Sequence, residues 1–274
     1  MNKISVAIVL YNNDINELNI AINSAINNSL VEIIYLIDNS EKNTLSSLQN
    51  INKEKIKYIF LNKNVGFGTA HNVAINLSQE SKFAYHLILN PDVEFDPLIL
   101  NDLIKYLDDN EDCGLIMPKV LYRNGELQRL CKKIPKFYEL YGKRILPKYF
   151  TTKINNNLEL IGFEYDRILN VPYLSGCFML CRNKALKKIK GFDERYFMYM
   201  EYLDLTRSIH KYYKTIFYPY VSITHGYRNE SRVNKSLLYA LIKSSIKYYN
   251  KYGWFFDEEA KRFNTQLAND IKKH

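Results

Sequence analysis

Glu201 and Asp204 stand three residues apart in a run that is otherwise aromatic and aliphatic, Phe197-Met-Tyr-Met-Glu-Tyr-Leu-Asp-Leu205. On a helix this spacing puts both on one face, with Cβ atoms about 5–6 Å apart. Apolar surroundings that exclude water raise a carboxylate's pKa, which suits a general base taking a proton from a hydroxyl nucleophile. The same pair also fits the first turn of a helix, where acids complement the macrodipole and Asp204 would pair with Arg207. At the level of these residues both readings stand.

Other charged groups sit where strand-like runs end. Asp92 follows Asn90-Pro91, and a carboxylate there suits a hard divalent cation shared with phosphate oxygens, or serves a plain turn. Asp38 could accept hydrogen bonds from a nucleobase or ribose, or cap the next helix. His225 closes Val221-Ser-Ile-Thr224 and could complete a metal site, and Arg228 or Arg232 beyond it could clamp phosphate oxygens. Gly66-Phe-Gly-Thr-Ala-His71 shares two glycines with a dinucleotide fingerprint, but it follows the third strand and has His where a glycine is needed, so no nicotinamide cofactor is expected. Its glycines would let backbone approach a phosphate, or form a turn. No HExxH, GxSxG or Walker pattern occurs, which argues against zinc peptidases, serine hydrolases and P-loop enzymes.

These groups need a scaffold. The chain has 274 residues, 47% of them hydrophobic, and a formal net charge of +9, enough for a substantial core and a preference for anionic partners. Without zinc-finger spacing or a stacking motif, no nucleic-acid partner is expected. Cys113, Cys131, Cys177 and Cys181 show no CxxC spacing and read as small buried hydrophobes in a reducing compartment. The apolar run Ile4–Tyr11 is too short to span a membrane and has no cleavage site, so a cytoplasmic location is expected.

Ile4–Tyr11, Val31–Asp38, Lys57–Leu61 and Phe83–Leu89 read as buried strands. Helices fall between them, the first with Leu18, Ala21, Ile22, Ala25 and Ile26 on one face. This alternation predicts an α/β fold with a doubly wound, mostly parallel sheet, whose ligands bind at the carboxyl ends of the strands. Tyr11, Asn12, Asp38, Asn39, Gly66 and Asp92 would then share one edge. Further on come a helix over 98–107, strands over 114–120 and 176–180, an irregular stretch over 122–170, and a helix starting near Glu201. Short strands follow at Thr215–Tyr218 and Val221–Thr224, then a helix over Lys235–Tyr249.

Separated segments together carry a family resemblance: Val6-Ala-Ile-Val-Leu-Tyr-Asn12; Ile37-Asp-Asn-Ser40; Asn64-Val-Gly-Phe-Gly-Thr-Ala-His-Asn72 with Leu89-Asn-Pro-Asp-Val93; and Leu174-Ser-Gly-Cys-Phe-Met-Leu180 through Gly191-Phe-Asp-Glu-Arg-Tyr-Phe197 to Arg207. Tyr218-Pro-Tyr220, His225 and the tail Lys247–Phe256 extend it, and only about 122–170 lies outside. The sequence resembles the inverting family-2 glycosyltransferases of bacterial polysaccharide assembly, in particular the rhamnosyltransferase-like branch of O-antigen, capsule and lipopolysaccharide synthesis.

The resemblance implies a GT-A fold, a Rossmann-like, mostly parallel central sheet flanked by helices with a C-terminal helical tail. It implies a catalytic domain over 1–232, made of a nucleotide-sugar half (1–121) and an acceptor half (122–232), and a helical extension over 233–274. Tyr11, Asn12 and Asp38 would hold the donor nucleoside, and Gly66, Asn72, Asn90, Arg228 and Arg232 would serve its diphosphate side. Asp92 would bind Mg2+ or Mn2+, with His225 as a further ligand, and Gly176 and Tyr202 would line the acceptor side. Where the family has Glu-Asp-x-Asp this chain has Glu201-Tyr202-Leu203-Asp204, leaving Glu201 or Asp204 as the base.

The implied reaction is a single displacement from dTDP-rhamnose or a UDP- or GDP-sugar to a hydroxyl of a growing or polyprenyl-diphosphate-linked saccharide. A stripe of Lys243, Lys247 and Lys251 with Tyr248, Tyr249, Trp254, Phe255 and Phe256 would suit peripheral contact with the inner face of the plasma membrane, or a packed closing helix. Two other readings compete. A nucleotidyltransferase would want a glycine- and lysine/arginine-rich loop after the first strand, where Asn12-Asn-Asp-Ile stands. A non-catalytic binder of nucleotide-sugar or lipid is compatible with Tyr202.

Overall fold

Every residue of the first strand, Ile4–Leu10 (β1), is apolar but Ser5, because both of its faces are covered. Ile4, Val6, Ile8 and Leu10 pack with Leu18, Ala21, Ile22 and Ala25 of helix α1 (Ile15–Ile26) in the main core. On the other face the small Ala7 lets helix α2 (Phe67–Glu80) lie close, through Ala70 and Ala74. Helix α1 starts where expected, with Asp14 accepting hydrogen bonds from the N–H groups of Asn16 and Glu17. The computed structural model describes residues 3–145, 152, 156–226 and 235–273.

Strands β1, β2 (Val31–Asp38), β3 (Ile56–Phe60) and β4 (Tyr85–Leu89) pair in parallel, in the order β3-β2-β1-β4. The remaining strands are β5 (Val93–Glu94), β6 (Cys113–Leu121), β7 (Leu169–Asn170), β8 (Phe178–Arg182) and β9 (Lys214–His225). The sheet continues β8-β6-β9-β5, and β7 also pairs with β9. The expectation of a mostly parallel sheet holds, since β6 and β9 also pair in parallel, and the exceptions lie in the second half. Strand β8 runs antiparallel to both neighbours, and β5 and β7 run antiparallel to β9. The two short strands expected at 215–218 and 221–224 are one. Its pairing with β6 jumps from Tyr218 to Ser222, a bulge that takes in Pro219, which has no N–H for the ladder.

Four more helices matter for the site and its support: α3 (Ile99–Asp109), α4 (Phe137–Ile145), α5 (Asn183–Ile189) and α6 (Glu201–His210). Two closing helices, α7 (Lys235–Tyr252) and α8 (Glu258–Lys272), follow. A second core joins Tyr196, Met200 and Leu203 to Tyr248, Tyr249, Ala260 and Phe263. At its centre Arg207 is 1% exposed and donates to Asp257 through both Nη atoms at 2.6 Å, to Glu259 at 3.1 Å and to the Tyr248 hydroxyl at 3.0 Å, and lies 3.7 Å over the Tyr252 ring.

This packing changes the reading of the closing helix. Tyr248 and Tyr249 are buried, and Lys251 is held in ion pairs with Asp193 and Asp204. The two tyrosines of the surface expected to meet a membrane are therefore internal, whereas Lys243, Lys247, Phe255 and Phe256 remain exposed. Among the described residues no helix is long and apolar enough to cross a membrane. Removing one partner of a buried, hydrogen-bonded charge cluster strands the others. Arg207→Ala should lower the unfolding free energy by about 3 kcal/mol in chemical denaturation, and Asp257→Asn by less, because that carboxylate is already partly solvated.

Candidate active site

The carboxyl ends of β1, β2 and β4 place Tyr11 and Asn12, Asp38, and Asn90-Pro91-Asp92 along one edge of the sheet. Strand β9 brings His225 to the same edge, since His225 pairs with Val93 and the N–H of Gly226 donates to the Asp92 carbonyl at 2.9 Å.

Asp92 and His225 face each other, Oδ1 to Nε2 at 3.4 Å. The tautomer of His225 follows from Gln128, which sequence reasoning missed. The Gln128 side-chain N–H2 is anchored on the carbonyls of His225 and Leu121, so its oxygen meets Nδ1 of His225 at 3.0 Å and accepts that proton. Nε2 then faces the Asp92 carboxylate, which it meets as a donor when the ring carries both protons and across a cation when it does not. Two acceptors so close call for a proton or a cation between them, and an imidazole oriented through its far nitrogen is what metal ligation uses. The donor set fits a divalent cation that takes its other ligands from phosphate and water. Burial pushes the Asp92 carboxyl up, but the hydrogen bond and charge of His225 outweigh it and hold it below the ordinary carboxylate value. Among the described residues no three His, Cys, Asp or Glu gather as a closed metal cage.

Glu201 starts α6 and is 3% exposed, and its Oε2 has no hydrogen-bond partner among the described residues. Burial drives its carboxyl up to about 8, with backbone N–H groups of Glu201 and Met200 pulling back only part of the way. Asp204, one turn on, is in a different state. Lys251 Nζ donates to both its oxygens at 2.8 and 2.9 Å, and the Tyr196 hydroxyl donates at 3.2 Å. The expected Asp204–Arg207 pair is absent, because Arg207 turns to Asp257 and Glu259. The structure thus separates an ion-paired brace from an unpartnered acid.

What positions Glu201 is the Gly66–Asn72 motif. Gly66 has φ +90°, and a Cβ there would stand 2.5 Å from the Phe197 carbonyl oxygen. The N–H of Phe67 donates to that carbonyl at 3.1 Å. Asn72 accepts from the Phe192 N–H at 2.8 Å and donates to the Phe192 carbonyl at 2.9 Å. Gly68 lies against the Phe192 side chain, and His71 stacks between Phe67 and Phe192. Gly66 and Asn72, expected beside the diphosphate, clamp the segment that leads into α6. Tyr199, at φ +84°, turns the chain into that helix.

The other candidates fall as follows. Asp38 is fully buried; Oδ1 accepts from the Ser40 N–H at 2.8 Å and Oδ2 from the Tyr58 hydroxyl, so its carboxylate organises the loop after β2. Tyr11 is half exposed, and Asn12, at φ +51°, donates its N–H to Ser40. The Asn90 N–H donates to the Cys177 carbonyl, which sets Gly176 beside the Asp92 turn. Tyr202 covers Gly176, where an added Cβ would stand 3.2 Å from the tyrosine's own, and lies against Tyr173. These contacts tie the first turn of α6, through Tyr202 and Gly176, to the Asn90–Asp92 turn. Arg228 and Arg232 lie outside the described residues. Lys251 carried a signal, its place in the lysine stripe, but that pattern pointed to solvent.

Comparison with known proteins agrees with this architecture. The crystal structure of GalNAc-T7 with UDP, GalNAc and Mn2+ superposes with a TM-score of 0.66 at 15% identity, covering 99% of this chain and 58% of that one. Crystalline S. aureus TarS superposes with a TM-score of 0.61 at 15% identity, covering 97% and 43%. At such identities the likeness is one of fold, the GT-A fold. N-acetylglucosaminyl-diphospho-decaprenol L-rhamnosyltransferase from two strains of Mycobacterium tuberculosis is 26% identical over 175 residues, 59% of this chain and 56% of the relative, so the chain spans about half the length of the curated relatives it matches. The family model described as "Glycosyl transferase family 2" matches residues 5–190, and the chain belongs to that family.

Proposed function

We propose that the chain transfers a sugar, with rhamnose favoured, from a nucleotide-sugar to a hydroxyl of a saccharide acceptor carried on a polyprenyl diphosphate, in one displacement that inverts the anomeric centre. The observation that carries this reading is Glu201, a buried carboxylate with one oxygen lacking a hydrogen-bond partner among the described residues, at the start of the helix whose Tyr202 covers Gly176. The rhamnosyltransferase relative supports the sugar and the lipid-linked acceptor. Residues 1–232 are read as the catalytic unit and 233–274 as a brace behind α6.

In this reading Glu201 takes the proton of the acceptor hydroxyl as its oxygen attacks the anomeric carbon. The bond from that carbon to the diphosphate breaks, and its electron pair leaves on the nucleoside diphosphate. Exclusion of water around Glu201 makes it a stronger base than a solvated carboxylate. Asp204, held by Lys251, fixes the turn of helix that carries Glu201. Asp92 and His225 would hold a Mg2+ or Mn2+ ion, which supplies charge neutralisation for the departing diphosphate; the Mn2+ bound by GalNAc-T7 supports this choice. Tyr202 and Gly176 form the acceptor wall.

A thermal-shift panel of dTDP-, UDP- and GDP-sugars with Mn2+ should give one stabilising donor, and no shift with any of them would overturn the reading. Asp92→Ala should abolish the metal-dependent part of that shift. Glu201→Gln should lower turnover by about 10^2- to 10^4-fold with donor affinity unchanged. For the wild type, kcat/KM should climb with pH to an inflection near about 8, where Glu201 loses its proton.

The same group has a signature in stability. Its folded-state pKa lies above the unfolded value, so its contribution is full below about 4.5 and is lost as pH rises through about 8. The Glu201→Gln protein should therefore gain in melting temperature over the wild type as pH rises through that window, with little difference at pH values near 4.5.

A further inference from the structure

Arg123 lies in the turn after β6 and reaches the site from a side that none of the motifs covers. Its Nη2 stands 3.0 Å from where a Cβ on Gly226 would be, so the guanidinium lies over the backbone that directly follows His225. Gly226 in turn donates its N–H to the Asp92 carbonyl. Across the mouth, Glu17 in the first turn of α1 accepts from Nη2 at 3.3 Å, the one hydrogen bond Arg123 makes among the described residues.

That pair is built to be exchanged. The Arg123 side chain is 62% exposed, the contact is long and one-pronged, and solvated ion pairs of this kind contribute about 0–1 kcal/mol. A guanidinium gains more from a diphosphate, whose oxygens offer it two parallel charge-assisted hydrogen bonds. Glu17, only 19% exposed, keeps the arginine near the Asp92–His225 pair without occupying the space between those two residues.

We propose that Arg123 is a leaving-group-binding residue that exchanges Glu17 for the terminal phosphate of the nucleoside diphosphate as the bond to the sugar breaks. The inference rests on the glycosyl-transfer reading above. It assigns to Arg123 the oxygen that receives the electron pair, and to Glu17 the role of a resting counter-ion that competes with product. In the transition state the β-phosphate gains negative charge that it lacks in the donor, so the arginine acts on turnover more than on donor binding.

The test uses the full chain with Mn2+ and measures binding of UDP, dTDP and GDP, and of the matching monophosphates, by calorimetry, with kcat and KM on the donor found in the panel. Arg123→Ala should weaken the preferred diphosphate by about tenfold, leave the monophosphate unchanged and lower kcat more than it raises KM. Arg123→Lys should recover only part of the loss, since an ammonium cannot grip two oxygens in a plane. Glu17→Gln should tighten the diphosphate. Equal binding of the diphosphate by wild type and Arg123→Ala, an equal loss for mono- and diphosphate, or weaker diphosphate binding by Glu17→Gln would overturn the assignment while leaving glycosyl transfer intact. If the wild type binds none of the diphosphates, the assignment and the glycosyl-transfer reading fall together.

Discussion

The seating of the Gly191–Phe197 segment on the first turns of α2 is the contact on which the site depends. Asn72 makes two hydrogen bonds to the backbone of Phe192 with one amide, as a neighbouring strand would. Gly66 and Gly191 both have positive φ, and at both a side chain would also collide, with the Phe197 carbonyl in one case and with Asn72 in the other. Position 66 is therefore fixed by Phe197, and position 191 by Asn72. Their joint effect is to deliver the chain to Glu201 at one place beside the strand ends.

Once there, two carboxylates at i,i+3 diverge because of what faces them. Asp204 meets an ammonium and a phenol, whereas one oxygen of Glu201 is buried without a hydrogen-bond partner among the described residues, and burial raises its pKa. A buried acid without a partner opposes folding when ionised, and the large cores on both sides of the sheet allow the protein to retain it. Such a cost is a reason to assign function to Glu201 rather than decoration.

Much of the parallel half was legible in the sequence. Strands β1, β2 and β4 are continuous apolar runs because both faces are covered, and each is followed by a polar turn. The mixed half was less so, since the direction of β8 relative to β4 and β6 depends on pairings between residues about 65 to 95 positions apart, which no local period encodes. The polar partners were hidden for the same reason. Asn72 and Asp38 have the residue types that bind phosphates and nucleosides, yet their partners are Phe192, 120 positions away, and Tyr58, 20 positions away. The lysine stripe on α7 had the periodicity of a solvated face, but Lys251 answers to acids that the tertiary fold brings to it.

The clamp behind α6 also bears on the order in which the protein is made. The four parallel strands are complete by Leu89 and can pair while synthesis continues. The partners of Asp204 and Arg207, by contrast, are Lys251, Asp257 and Glu259, which are made long after Leu89. A nascent chain can therefore form the strand ends of its parallel half well before it can hold the helix that carries Glu201.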